Sequence, residues 1–193
     1  MSHSRGRAQT TRSQQARCAC RYAKGVAQIR SIQRKATRAR CLARSLDLRP
    51  METAASSLGV ALKIAEVRGP NEFASAFTAM AAEGVDAIAI ADDPMLITSS
   101  LAIADLAARH RLPSTGSRDL AEVGGLIGYG VDALEIFRHA ALFVHKILKG
   151  VKPSDLPVEQ ATKFQLIINL KTAKALGLTI PQPVLVRADE VVQ

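Results

Sequence analysis

Two groups of polar residues lie where a parallel sheet would bind a ligand. The first is the acid pair Asp92 and Asp93, which follows the apolar, strand-length run at residues 86–90. The second is the stretch 114–118, which lies beyond the end of another short strand. Ligands of open parallel sheets bind just outside the carboxyl ends of the strands. The acids could hold an ammonium or hydroxyl group there, or an aspartate could instead cap the next helix.

Other kinds of chemistry find little support in the residue pattern. His139 and His145 are six residues apart, so they do not share a ligand face on a helix, and Cys18, Cys20 and Cys41 lack the spacing of zinc ligands. The sequence has no G-x-S-x-G, GxGxxG or P-loop motif, and its glycine-rich stretch precedes a strand instead of opening a helix after one. We therefore expect no catalytic residue, no metal and no cofactor.

Alternating strand and helix signals organise the chain from residue 51 onwards. Residues 60–67, 86–90 and 126–130 have the composition of strands, and the stripe of large apolar residues after Pro70 is typical of a helix packed on a core. Glycines stand where most helices would end. The pattern predicts an α/β domain with a mostly parallel sheet.

A long amphipathic helix is predicted over residues 132–149, with a capping box at its start and Gly150 just after its end. A second capping box, of the form D-x-x-E, is predicted at residues 119–122. The long helix carries its apolar side chains on one broad stripe. That stripe consists of Ile136, Phe137, Ala140, Ala141, Val144, Ile147 and Leu148.

The first fifty residues differ in character from the rest. Residues 1–50 carry 13 Lys/Arg and one acid, a net charge of +12, whereas residues 51–193 carry 13 Lys/Arg and 16 Asp/Glu, a net charge of −3. The basic segment has few large apolar residues, so we expect it to be disordered and residues 1–45 to pack against nothing specific. It is open to three interpretations: a nucleic-acid-binding arm, a transit peptide, or a non-native stretch from a frameshift or misplaced start. We favour the third.

The stretch 156–181 carries a resemblance to a known family. Residues 164–168 have strand composition, Asn169 is a good N-cap for the helix that follows, and Gly177 suits the left-handed position after that helix. The phrase PVEQ-x-TKF-x-L-x-INLKTAKALGLTIP resembles the substrate-binding proteins of bacterial ABC transporters, the family that includes tryptophan- and tyrosine-binding lipoproteins. HRLP, EVGGLIGYG and HKILKG-x-KPSDLPVEQ match the same pattern, so the resemblance runs from about Met51 to the end.

That resemblance implies a fold, a site and partners. The fold would be a Rossmann-like, flavodoxin-like α/β lobe of a type I periplasmic binding protein, which traps its ligand between two lobes that close on a hinge. Ligand contacts would come from Asp92, Asp93, Ser117, Arg118 and Tyr129, with Tyr129 where the chain crosses the hinge. Relatives that bind aromatic amino acids tend to show an acid at the position of Ser117. The partners would be a small-molecule ligand and the transmembrane subunits of an ABC permease.

The resemblance also implies an incomplete lobe. We recognise no signal sequence, no first lobe and no first βα unit, and the loss of that unit would leave the strand at residues 60–67 without a ladder partner. We therefore expect two parts, a basic segment 1–50 and a C-terminal lobe 51–193. The family is periplasmic, but the absence of a visible signal peptide leaves a cytoplasmic location open. No run is long and apolar enough to span a membrane.

Two functions of other classes stay open. One is a small flavodoxin-like enzyme that uses Asp92 and Asp93 as acid and base, which substrate consumption abolished by Asp93→Ala would indicate. The other is nucleic-acid binding through the basic arm, although we expect no specific nucleic acid as a partner. Salt-sensitive DNA binding that disappears with residues 1–50 would indicate that second function.

Overall fold

The fold is built on one mixed sheet. The structure, a computed structural model, describes residues 38–43, 49–157, 159 and 163–193. Within this part of the chain seven strands pair in the order β2-β1-β3-β4-β5-β6-β7. They are β1 (Arg38–Ala43), β2 (Ala61–Glu66), β3 (Ala87–Ile90), β4 (Ser114–Gly116), β5 (Ile127–Val131), β6 (Phe164–Asn169) and β7 (Glu190–Val192).

Helices connect the strands in the alternation that the sequence predicts. Strands β1 to β5 are parallel, β6 runs antiparallel to β5, and β7 is parallel to β6. The resulting architecture is a flavodoxin-like α/β lobe with a mostly parallel sheet, as predicted. The helices are α1 (Arg49–Ser57), α2 (Phe73–Ala82, after a 3-10 turn at Pro70–Glu72), α3 (Pro94–Thr98), α4 (Ser100–Arg109), α5 (Arg118–Glu122), α6 (Ala133–Leu148, before a 3-10 turn at Pro153–Asp155), α7 (Leu170–Ala175) and α8 (Gln182–Leu185).

Strand β1 is a central strand, and it contradicts two expectations drawn from the sequence. It pairs in parallel with β2 on one side and with β3 on the other. Cys41 and Leu42 are completely buried in the core between the sheet and its helices. The expectation that residues 1–45 pack against nothing is therefore wrong for β1, and the strand predicted at residues 60–67 does have a ladder partner. The rest of residues 1–48 lies outside the described residues.

Arginines obscure β1 in the sequence because their charged ends reach beyond the buried strand. The Arg40 side chain pairs with Glu83 and donates a hydrogen bond to the Ile64 carbonyl at 3.1 Å. Its hydrogen bond lowers the pKa of Glu83 below the usual range. The main-chain N–H of Arg38 donates to the Asp86 carboxylate at 2.9 Å. Long basic side chains can thus flank an apolar strand without burying their charge.

Helix α6 stands away from the sheet. Because β6 is antiparallel to β5, the chain leaves the sheet at Asp132 and returns at Lys163, and α6 lies in the excursion between them. The Asp132 carboxylate accepts a hydrogen bond from the Glu135 N–H at 3.3 Å, which is the predicted cap. Phe137 and Leu148 of the apolar stripe are 72% and 82% exposed. The described part of the chain therefore leaves this stripe largely uncovered.

A histidine links α6 to the returning segment in a pH-dependent way. His139 Nδ1 lies 2.7 Å from a Glu159 carboxylate oxygen, and Nε2 lies 3.3 Å from Glu135. The hydrogen bond to Glu159, followed by that to Glu135, raises the pKa of His139 above 6.5. Since the folded-state pKa is the raised one, this link contributes stability that is complete below about pH 6.5 and is lost as pH rises through the folded-state pKa.

His139→Gln is therefore expected to remove part of the rise in the free energy of unfolding that accompanies acidification from pH 8 to pH 6. Urea denaturation at both pH values measures the effect. His145→Gln is the matched control, because His145 lies on the same helix and forms no ion pair with any described residue. Equal pH dependence in the His139 variant and the unsubstituted chain would show that the link contributes nothing.

Candidate functional site

The carboxyl ends of β1, β3, β4 and β5 meet at one edge of the sheet. In the parallel pair β3–β4, Ala89 lies opposite Thr115, so the next residues of each strand end side by side. A Cβ on Gly116 would lie 3.1 Å from the Ile90 Cβ. Residues 114–116 are β4 itself and not a loop, which corrects the expectation from sequence. The loop at this position begins at Ser117.

The acid pair follows β3 at this edge, and its second member caps a helix. The Asp93 carboxylate accepts a hydrogen bond from the Met95 N–H at 2.9 Å and so opens α3. This capping role is the alternative that the sequence left open for an aspartate at this position. Asp92 and Asp93 are both half-buried. The pair therefore combines a capping acid with a neighbouring carboxylate at the same strand end.

Close packing shapes the loop after β4. Ser117 is the N-cap residue of α5, but its side chain makes no capping hydrogen bond, and the helix already includes Arg118. The capping box predicted at residues 119–122 is therefore wrong. A Cβ on Gly128 would lie 2.9 Å from Ala121 Cβ and 3.0 Å from the Ser117 carbonyl oxygen, so this glycine lets the loop lie directly on β5. The glycine-rich stretch thus serves packing between α5 and the sheet.

Arg118 joins three parts of the chain at this edge. Its Nε donates to Glu122 at 2.5 Å, its Nη1 to the Gln165 side-chain oxygen at 2.7 Å, and its Nη2 to Glu190 at 2.8 Å. The hydrogen bond to Glu122 is the main cause of the raised pKa of Arg118. Gln165 is the second residue of β6, and Glu190 is the first residue of β7. The guanidinium therefore holds α5 against the two strands that complete the sheet.

Gln165 extends these contacts to the base of α6. Its Nε2 donates to Asp132 Oδ2 at 3.2 Å, and Lys163 Nζ lies 3.4 Å from the same carboxylate. Asp132 is only 8% exposed. We call Arg118, Glu122, Asp132, Gln165 and Glu190 the Arg118 network. Sequence reasoning missed Gln165 and Glu190, which lie 47 and 72 residues from Arg118 and carry no local signal of the contact.

Tyr129 lies on β5, close to the points where the chain leaves the sheet at Asp132 and returns to it at Lys163. We call these two points the crossings. Its ring stacks on Phe164, with centroids 5.9 Å apart and an interplanar angle of 13°. Phe164 pairs with Val131, the last residue of β5, so the stacked rings stand beside the exit and return of the chain. Tyr129 is half-buried, so part of its side chain remains exposed to solvent. The structure thus places it near the crossing, where the resemblance implied a hinge.

Among the described residues at this edge, carboxylates outnumber basic groups, which favours a ligand that is cationic or rich in hydrogen-bond donors. Two of its bases, Arg118 and Lys163, are already engaged with carboxylates. The acids at this edge are Asp92, Asp93, Glu122, Asp132 and Glu190.

A separate pocket of about 240 Å³ opens at the opposite edge of the sheet, where β4 begins. Sequence reasoning did not anticipate it. Arg111 and Lys171 flank it, and its polar wall includes Ser114 and Thr172. The Thr172 hydroxyl donates to the Gly124 carbonyl at 2.8 Å, so that wall is already hydrogen-bonded within the protein.

Two kinds of feature are absent from the part of the chain that the structure describes. No three His, Cys, Asp or Glu side chains there lie close enough together to hold a metal ion. None of the helices described combines the length and the apolar composition needed to cross a bilayer.

The sequence and the fold both match known proteins. Residues 43–192 match the family described as ABC transporter substrate binding protein. No curated protein matches the sequence. A solved structure of an ABC domain from Streptococcus pneumoniae in complex with L-Trp is 26% identical, with a TM-score of 0.81 over 89% of this chain and 60% of that one.

Two further solved structures share the fold. A conserved domain protein from Vibrio cholerae is 25% identical, with a TM-score of 0.80 over 88% of this chain and 60% of that one. A ligand-free, open substrate-binding protein with adhesive properties from Clostridium difficile is 20% identical, with a TM-score of 0.63 over 88% of this chain and 59% of that one, and this likeness concerns the fold alone. The present chain therefore spans about 60% of the length of the solved structures that it matches.

Proposed function

This chain belongs to the family of ABC transporter substrate-binding proteins, and from that premise we propose that it binds a small molecule and delivers it to an ABC permease. The ligand contacts are Asp92, Asp93, Ser117, Arg118 and Tyr129. The observation that supports this proposal is the adjacency of the carboxyl ends of β3 and β4, which puts the acid pair beside Ser117 and Arg118. Ligands of parallel sheets bind at such ends.

The ligand that suits this edge carries an amine. Its ammonium group meets the carboxylates at this edge, among them Asp92, which lies just after β3 and outside the Arg118 network. Asp93, whose carboxylate accepts a hydrogen bond from the Met95 N–H at the start of α3, contacts the ligand beside Asp92. An apolar or aromatic part of the ligand packs on the exposed part of Tyr129. The Streptococcus structure is a complex with L-Trp, so L-tryptophan is the first probe.

Capture requires a second wall, which we propose is another lobe. Helix α6 and the crossings at Asp132 and Lys163 are the parts of this lobe that face it, since the stripe of α6 is uncovered in the described chain. We take this lobe to include β1 as well as residues 51–193, because β1 is part of the same sheet. The proposed place of action is the periplasmic side of the membrane, next to the permease.

Ligand-induced stabilisation tests the proposal. A ligand that binds only the folded chain raises the free energy of unfolding by about 2.7 kcal/mol at a concentration of 100 Kd. L-Tryptophan, the other natural amino acids and simple amines are titrated against the full chain, with thermal unfolding and calorimetry as readouts. Asp92→Asn is expected to weaken binding at least about tenfold, as removal of a charged hydrogen-bond partner does.

Asp105→Asn is the control, because Asp105 is an exposed acid on α4 that pairs with Arg109 at the surface. Equal binding by the two variants, or no stabilisation by any amine, would contradict the proposed site. The recovered ligand is also analysed for chemical change. A bound compound that is consumed would favour the alternative enzyme that uses Asp92 and Asp93, whereas an unchanged one supports transport.

A further inference from the structure

We propose that Gln165 is a positioning residue that couples the loop at Ser117 and Arg118 to the start of α6. The inference rests on the proposed function, because it gives a regulatory role to the same site. We call the edge where the carboxyl ends of the parallel strands meet the ligand edge. The inference concerns how a change at the ligand edge reaches the two crossings of the chain. Gln165 is the side chain in the Arg118 network that contacts both ends of this route.

The chemistry of its two neighbours fixes how the Gln165 amide must lie. A guanidinium can only donate hydrogen bonds, and an ionised carboxylate can only accept them. The amide oxygen therefore faces Arg118 Nη1 at 2.7 Å, and the amide nitrogen faces Asp132 Oδ2 at 3.2 Å. Leucine or methionine makes neither bond, and a glutamate would place a second carboxylate beside Asp132. An amide of this length is the natural side chain that satisfies both neighbours at once.

Each end of the amide is attached to a part of the lobe with a distinct role. Arg118 is the first residue of α5 and directly follows Ser117 at the ligand edge. Asp132 caps α6 through the Glu135 N–H, and its own N–H donates to the Lys163 carbonyl at 3.2 Å. Asp132 thus caps the helix at the point where the chain leaves the sheet and is hydrogen-bonded to Lys163 at the point where the chain returns. Through Arg118 and Asp132, Gln165 therefore connects the residues at Ser117 and Arg118 to both crossings.

This arrangement gives ligand binding a route to the orientation of α6. A bound amino acid such as L-tryptophan draws Arg118 toward its carboxylate and so lengthens the bond from Nη1 to Gln165. The Gln165 amide then either moves with Arg118 or loses its hydrogen bond to Arg118. In both cases the amide nitrogen shifts relative to the Asp132 carboxylate. The cap of α6 weakens or strengthens accordingly. Such coupling travels through contacting polar groups with defined partners.

A double-mutant cycle of Arg118 and Gln165 in the full chain, without any ligand, tests the coupling. The readout is the hydrogen-exchange rate of the Glu135 amide measured by NMR. Arg118→Met is expected to raise that rate about three- to tenfold when Gln165 is present, which corresponds to the coupling typical of contacting residues. In a Gln165→Leu background the same Arg118 substitution is expected to have no further effect. Arg109→Met removes an arginine outside the network and is expected to leave the rate unchanged.

The inference is overturned if Arg118→Met changes the Glu135 exchange rate equally with and without Gln165, because the coupling would then bypass the amide. It is also overturned if Gln165→Leu leaves that rate unchanged. Gln165→Met repeats the cycle with an unbranched side chain of similar length, in case leucine disturbs the fold. Because no ligand is used, a chain that shows the coupling but binds no amine would refute the proposed function and not this inference.

Discussion

A chain that lacks residues 1–43 is expected to lose cooperative folding altogether. The deletion removes β1, so that β2 loses its parallel partner and β3 keeps only its pairing with β4. It also removes Cys41 and Leu42 from the centre of the core, where each is fully buried. Burial of one large apolar side chain contributes roughly 1.5–3 kcal/mol, and the exposed ladder groups cost more, against a net stability of about 5–15 kcal/mol. Circular dichroism and urea denaturation are the measurements.

Single substitutions test the contribution of β1 to stability without removing the first 43 residues. Leu42→Ala is expected to lower the free energy of unfolding by about 2–5 kcal/mol, because it leaves a cavity in the core. Leu62→Ala on the neighbouring strand β2 is the control and is expected to cost less, since Leu62 is only partly buried. Cooperative unfolding of the deleted chain would mean that β1 does not belong to the folded lobe.

The full chain is expected to associate with itself through α6. Phe137 and Leu148, on the apolar stripe of that helix, are 72% and 82% exposed, and Val144 between them is 55% exposed. A contiguous apolar patch of this kind promotes association. Phe137→Lys combined with Leu148→Lys is expected to weaken self-association at least about 100-fold, because two large side chains would no longer be buried on contact. Analytical ultracentrifugation over a range of concentrations measures this.

Leu101→Lys is the matched control for this experiment. Leu101 is 69% exposed, but it stands on α4 away from the α6 stripe. Its substitution is expected to leave self-association unchanged. Wild-type chain that stays monomeric at high concentration, or a Leu101 variant that behaves like the double variant, would show that α6 is not the associating surface. A first lobe from a related binding protein, supplied in trans, should compete with self-association.

Local sequence signals predicted most of the helices and strands. Strand β1 was overlooked because the segment was interpreted from its overall basic composition. The caps at Asp132 and Asn169 are confirmed by hydrogen bonds to the N–H groups of Glu135 and Thr172, and Gly177 has the positive φ expected after a helix. Strand β1 was missed because the surrounding residues are strongly basic. The prediction weighed the charge of the arginines and overlooked that their long side chains reach past a buried strand.

The candidate site was predictable only in its position. The rule that ligands bind at the carboxyl ends of parallel strands located Asp92 and Ser117, and the structure places both strand ends at one edge. It could not show that Asp93 caps α3 or that Arg118 is held by Gln165 and Glu190. The two Arg118 contacts depend on β6 and β7, which follow much later in the chain, and no periodicity or spacing encodes them, whereas the Asp93 cap is the local alternative that the sequence had left open.

The distance in sequence between Arg118 and Glu190 sets an order of events during synthesis. The two residues are 72 positions apart. At about 5–20 residues per second, a ribosome adds Glu190 roughly 4–14 s after Arg118. During that interval the guanidinium lacks a carboxylate that later holds it, and β6, once it has been synthesised, lacks its outer neighbour β7 until the interval ends. A chaperone that recognises unfinished sheet edges therefore has several seconds in which to engage the growing chain, before the ligand edge is complete.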